Sequence, residues 1–260
     1  MRLFRVALTF LTIIPAGISS FRGPDELARS AGYFPLVGLL LGLLSAGLVA
    51  LTWQLLPAAP LVVLVLLVLF FLTRGLHLDG LADTADGLLG GLQKERALEI
   101  MKDGAVGPLG AAVIFLVYLL KYAALQSTGG VLLLALLLVM PVSGRWSMVM
   151  AGAAFGPARQ NGLGSQFIGS LTGGRFALST LCPLALVGLA LWGKTGVAPA
   201  LLCGLVFALA VAYLFARFAA RRLGGLTGDV LGAVNELAEA AFLLGALAGD
   251  ALWTLGRLLV

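Results

Sequence analysis

Long apolar runs broken by short polar punctuation dominate the chain. A membrane-crossing helix needs about 20 mostly apolar residues. Seven stretches qualify, at 36–56, 59–76, 107–127, 131–151, 176–193, 196–216 and 238–258. Pro and Gly mark the short connectors at 57–60, 129–130 and 193–196. The longer connectors, 1–34, 74–106, 152–175 and 217–236, carry nearly all the charge. The pattern predicts an all-α, polytopic transmembrane helical bundle of about seven spans. We expect residues 1–260 to form a single integral membrane domain. Small residues recur every fourth position at Gly38, Gly42, Ala46 and Ala50, and at Gly204, Ala208, Ala212 and Ala216. Ala241, Gly245 and Gly249 repeat the spacing. It lets helices approach closely, although Gly is common throughout, with 35 in all.

Composition agrees. Apolar residues make up 60% of the chain and charged ones 11%, against about 25% charged in soluble domains. A soluble enzyme, a nucleic-acid-binding module and a disordered chain are thereby excluded. The net charge of +5 then reports orientation, because basic residues concentrate in cytoplasmic loops. Arg2, Arg5, Arg22 and Arg29 lie in the first long connector, and Arg74, Lys94, Arg96 and Lys102 in the second. Arg159, Arg175 and nearby Arg145 mark the third, and Arg217, Arg221 and Arg222 the fourth. All four long connectors are expected to face the cytoplasm, with Lys194, Arg257 and Lys121 assigned to the other side. Arg2 and Arg5 before the apolar stretch 6–15 imitate a signal peptide. The charged stretch that follows favours an uncleaved interfacial helix. Cys182 and Cys203 sit in apolar runs and read as buried thiols with no metal or redox role.

Six of the twelve acidic residues fall between 79 and 103. Asp79, Asp83 and Asp86 are spaced i, i+4, i+7 and share one helix face. Glu95, Glu99 and Asp103 repeat the arrangement. Two such faces are expected to converge at the membrane boundary and hold a hard cation. Mg²⁺ suits such oxygen ligands and completes its shell with water and substrate phosphates. The glycines at 80, 87, 90 and 91 leave room for a bulky substrate. His77, the sole histidine, is a candidate base, a ligand, or a polar residue at a helix end. A second acidic group, Asp229, Glu236 and Glu239, follows Gly224-Gly-Leu-Thr-Gly228, with Thr227 as candidate N-cap. Arg145, Arg159 and the Gly-rich segment 156–165 form a candidate phosphate clamp.

The run His77-Leu-Asp-Gly-Leu-Ala-Asp-Thr-Ala-Asp-Gly87, with Glu99-Ile-Met-Lys-Asp-Gly104, resembles the signature of the adenosylcobinamide-GDP ribazoletransferase family, also called cobalamin synthases. Tyr33-Phe-Pro-Leu-Val-Gly38, Asn161-Gly-Leu-Gly164 and Leu226-Thr-Gly-Asp-Val-Leu-Gly-Ala233 are similar to further motifs of that family. The resemblance implies a Mg²⁺-dependent phosphoryl transfer at the prokaryotic cytoplasmic membrane. Adenosylcobinamide-GDP and α-ribazole, or its 5′-phosphate, would give adenosylcobalamin, or its 5′-phosphate, and GMP. Asp79, Asp83, Asp86 and Asp103 would hold Mg²⁺, and Asp83, Asp86, Glu99, Asp103 and His77 would be the catalytic candidates. Arg96, Lys102, Arg145 and Arg159 would contact phosphates, and Asp229, Glu236 and Glu239 would face the substrates or a second cation. Membrane lipid and a second copy of the chain are compatible partners. Asp83-Thr-Ala-Asp-Gly87 also resembles half of the CDP-alcohol phosphotransferase motif, so a lipid-forming enzyme is one alternative. A divalent-cation transporter is another, but it calls for carboxylates at mid-membrane depth.

Overall fold

The computed structural model describes residues 1–18, 20–90, 93–159 and 163–258. Gly91 and the start of the Asn161-Gly-Leu-Gly164 motif lie outside the described residues. All regular structure among the described residues is helical apart from one isolated bridge pairing Pro157 with Leu226. Among the described residues six helices are long and apolar enough to cross a membrane, and a bent pair makes a seventh span if counted as one. The polytopic helical bundle expected from hydropathy is therefore observed.

The chain opens with α1 (Arg2–Leu11), an amphipathic helix that buries Val6, Ala7, Leu8 and Leu11. Phe10 at its end stacks on Phe34, which in turn stacks on Phe167. Helix α2 (Pro24–Ser30) runs through one 3₁₀ turn into α3 (Phe34–Thr52). Arg2 ties α1 to α2 through a 2.5 Å ion pair with Glu26.

Helix α4 (Ala58–Thr73) is followed by α5 (Leu76–Leu89), and the two meet at 90°. Hydropathy alone reads 59–76 as one uninterrupted span. The break falls at Arg74 and Gly75, both in the left-handed region, with φ of 56° and 63°. A glycine adopts that conformation freely, whereas an arginine is strained there. Helices α6 (Lys94–Asp103) and α7 (Pro108–Gln126) follow, then α8 (Gly130–Ala154), the short α9 (Leu163–Gly169) and α10 (Gly173–Trp192). The chain ends with α11 (Ala198–Leu223) and α12 (Gly228–Leu258).

Helix α12 is the most enclosed of the spans, and α5, α7, α8 and α11 pack around it. It begins at Gly228, well before the apolar run at 238. Thr227 caps its start, its hydroxyl oxygen accepting from the Val230 N–H at 3.2 Å. The small-residue repeats mark the tight crossings. Ala208, Ala212 and Ala216 of α11 are fully buried, and a Cβ on Gly204 would lie 2.7 Å from the Phe242 carbonyl oxygen. Cys182 and Cys203 are both free thiols and half-buried.

Candidate functional site

The four long connectors meet at one end of the bundle. The Leu226 N–H donates to the Gly156 carbonyl and the Ala158 N–H to the Leu226 carbonyl, both at 2.8 Å. Arg159 reaches across to the Leu98 carbonyl at 2.5 Å. The Ser170 hydroxyl lies 3.4 Å from Asp25. The polar segments are thus stitched into one surface, and α5 runs into it.

Asp83 is the buried centre of the acidic face, only 6% exposed. Asp79 is exposed and Asp86 half-buried. The charges of Asp79, Asp229 and Asp86 all act on Asp83. Asp229 comes from α12, and Gly80 explains how it gets there. A Cβ at position 80 would lie 2.7 Å from the Asp229 carbonyl oxygen. Bare backbone lets α5 and α12 cross this closely, so the two acidic faces share one side of the crossing. Arg159 is near enough to act on Asp229. Asp79, Asp83 and Asp229 have no ion-pair partner among the described residues.

Asp86 has a different occupation. Its two carboxylate oxygens accept from the Gly107 and Gly110 N–H groups at 2.7 and 2.9 Å. It satisfies the otherwise unpaired donors at the start of α7, where negative charge also complements the helix dipole. Helix α6 lays Ala97 and Met101 against Gly87. Glu95, Glu99 and Asp103 are therefore turned outward and exposed. Glu99 pairs with Arg96 at 3.0 Å. Arg96, Glu99, Lys102 and Asp103 line a separate open depression of about 420 Å³. The expected convergence of two acidic faces from 79–86 and 95–103 does not occur. The acidic partner of α5 is Asp229. The four carboxylates Asp79, Asp83, Asp86 and Asp103 do not gather. Among the described residues no three His, Cys, Asp or Glu side chains are placed to share a metal ion.

The remaining predicted residues are inside the bundle. Lys121 of α7 lies 2.7 Å from Glu236 and 2.6 Å from Glu239. Arg145 of α8 closes an ion pair with the other oxygen of Glu239. The Asn235 amide donates to both glutamates at 3.2 Å. Gly144 makes room for this crossing, since a Cβ there would lie 2.6 Å from the Asn235 amide oxygen. A cavity of about 20 Å³, near the size of one water, adjoins the network. Two cations and two carboxylates balance. Lys121 is thus a buried partner of α12 and does not face outward. Arg145, Glu236 and Glu239 are committed to one another, away from the connector surface expected for a phosphate clamp. His77 is 3% exposed, and neither ring nitrogen has a partner among the described residues. Its backbone packs on Gly232, which sets the ring within the bundle rather than on the connector surface. Sequence reasoning missed Lys121 as a functional-network residue. A lysine within an apolar span was the available signal.

Comparison with known proteins agrees with the motifs. Residues 3–247 match the family described as cobalamin-5-phosphate synthase. The chain is 41% identical over 239 residues to the adenosylcobinamide-GDP ribazoletransferase of Geotalea daltonii, covering 92% of this chain and 94% of that one. It is 39% identical to the ribazoletransferase of Pseudomonas savastanoi pv. phaseolicola, covering 93% and 97%. The corresponding protein of Citrobacter koseri is 37% identical, covering 94% and 98%. No solved structure matches the chain. With its acidic α5 motif, its helical membrane bundle and near-complete coverage by these relatives, the chain belongs to the cobalamin-5-phosphate synthase family.

Proposed function

We propose that the protein joins adenosylcobinamide-GDP to α-ribazole or its 5′-phosphate, releasing GMP. The observation that carries this reading is the α5–α12 crossing, where Asp79, Asp83 and Asp229 are near enough for their charges to act on one another and have no ion-pair partner among the described residues. We read residues 1–260 as one membrane domain in a prokaryotic cytoplasmic membrane. The basic residues on the long connectors support a site facing the cytoplasm.

The donor set fits Mg²⁺ in one form. A cage of protein ligands is not supported, since among the described residues no three carboxylates are placed to share one ion. An ion held by one or two carboxylates, with waters and phosphate oxygens completing its shell, is the usual Mg²⁺ arrangement. Asp79 and Asp229 would hold it, with Asp83 behind them. When bound, Mg²⁺ supplies charge neutralisation at the phosphate oxygens. The chain's own residues do the rest. Asp83, shielded from bulk water, takes the proton of the attacking ribazole hydroxyl. The hydroxyl oxygen forms a bond to the cobinamide-bound phosphorus, and the bond to GMP breaks. Arg159, held by the Leu98 carbonyl, orients the phosphates. Arg96, Lys102, Glu99 and Asp103 meet the outer parts of the substrates at the α6 depression. Such transfer depends mainly on positioning and charge stabilisation. Asp86 holds α7 against α5, and Arg145, Glu236 and Glu239 hold α12 in register.

The test is GMP release from adenosylcobinamide-GDP by detergent-solubilised protein, with and without α-ribazole and Mg²⁺. Release that requires both is expected. Turnover of a CDP-activated lipid instead would favour the alcohol phosphotransferase reading. Divalent-cation flux into proteoliposomes without GMP release would favour transport.

A further inference from the structure

We propose that the cavity between the α1–α2 connector and the α4–α5 break is a binding site for a phosphate group carried on an apolar body. The cavity measures about 610 Å³ and is lined by Thr9, Thr12, residues 13–18 and Arg74. Among the described residues Arg74 is the only charged one that lines it, and no carboxylate is in the lining. Among the described residues the Arg74 guanidinium has no ion-pair partner. Arg74 is exposed at the rim of the cavity, whereas the buried cations Lys121 and Arg145 are matched to glutamates.

Three further observations point to a ligand. Thr9 is one of the lining residues, and its hydroxyl, closed off from solvent, has no hydrogen-bond partner among the described residues. A buried polar group left unpaired is costly unless something occupies the space beside it. Arg74 adopts left-handed backbone, φ 56° and ψ 25°, which glycine would occupy without strain. Strained backbone of this kind concentrates at ligand-binding positions. The connector is also fixed in place. The Ile13 N–H donates to the Leu72 carbonyl at 2.8 Å. Arg5 donates to the Ala16 and Gly17 carbonyls at 2.5 and 2.9 Å, which brings a second guanidinium to the connector.

The chemistry follows from these parts. A guanidinium fork matches phosphate oxygens, and the Thr9 hydroxyl, once turned toward the cavity, would donate a further bond. Ile13, Ile14 and Ile18 supply an apolar wall. A phospholipid head group and a soluble phosphomonoester share this recognition, and neither depends on the proposed reaction.

The test uses the full chain in phosphatidylcholine nanodiscs and reads its unfolding temperature without turnover. Inorganic phosphate is titrated in one arm, and phosphatidylglycerol replaces about a third of the lipid in the other. A rise with phosphatidylglycerol alone assigns a lipid head group. A rise with inorganic phosphate assigns a soluble phosphate. In either case Arg74→Gly, whose backbone suits the break, should fold normally and weaken the response about tenfold. Arg74→Gln should do the same while keeping a side chain. Thr9→Val should weaken it by less. The proposal is overturned if neither arm shifts the wild type, or if both Arg74 variants respond like the wild type.

Discussion

Two groups of carboxylates hang on α12 about two turns apart, and they differ in what faces them. Glu236 and Glu239 meet Lys121, Arg145 and the Asn235 amide, and the group is buried, paired and neutral. Asp229 meets Asp79 and Asp83 across the Gly80 crossing, and that group has no ion-pair partner among the described residues, with Arg159 acting on Asp229 only at longer range. The residue types are the same. A balanced set inside a bundle fixes helix register, because breaking it leaves a charge stranded in low dielectric. An unbalanced set at the end of a bundle attracts something from outside. The first group is read as scaffold and the second as site.

The contrast can be broken in four places. The largest effect is expected at Asp83. Asp83→Ala should lower GMP release by about a thousandfold while leaving membrane insertion and the unfolding temperature nearly unchanged; normal turnover would sink the site assignment. Next comes the scaffold. Lys121→Met strands a glutamate and should cost about 3–5 kcal/mol of stability, read as unfolding in mixed detergent micelles. Adding Glu236→Gln should recover part of that loss, whereas a purely catalytic lysine would show no such rescue. Asp86 tests the boundary between the two groups. Asp86→Ala removes the cap of α7 and should cost about 1–2 kcal/mol, with a smaller loss of turnover than Asp83→Ala. Equal losses would return Asp86 to the metal site. The smallest effect is expected at the exposed α6 depression, where Arg96→Ala should raise KM by about two- to fivefold with kcat unchanged.

The seven apolar runs correspond to six long helices and one bent pair, so most of the bundle was legible from hydropathy. The 90° turn at Arg74 was not, because a charged residue at the end of an apolar run marks a connector without giving the angle at which the next helix leaves. Its sequence sign is local, an Arg-Gly pair in left-handed backbone. The early start of α12 was legible, since Thr227 was the candidate N-cap and does cap it, but the partners of its first turns were not. Glu236 and Glu239 were read on one helix face with Asp229, but nothing local pairs them with Lys121, which lies more than a hundred positions away. Periodicity showed that Asp79, Asp83 and Asp86 share a face. It carried no information on which second acidic element would meet that face. Gly80 decided this by admitting α12, and the outward rotation of α6 on Ala97 and Met101 excluded Glu99 and Asp103.

The bend between α4 and α5 has a consequence for reaction partition. At 16 residues, α4 reaches roughly 24 Å at 1.5 Å per residue, short of a hydrocarbon layer of about 30 Å. Either the bilayer thins around it or the turn lies beneath the head groups, and in the second case α5 carries its carboxylates into a recess poor in bulk water. A nucleotide-activated donor held there would be spared solvolysis until an acceptor hydroxyl arrives. Spontaneous GMP release without α-ribazole should therefore stay far below the coupled rate, and a high uncoupled rate would show that the recess is open to water.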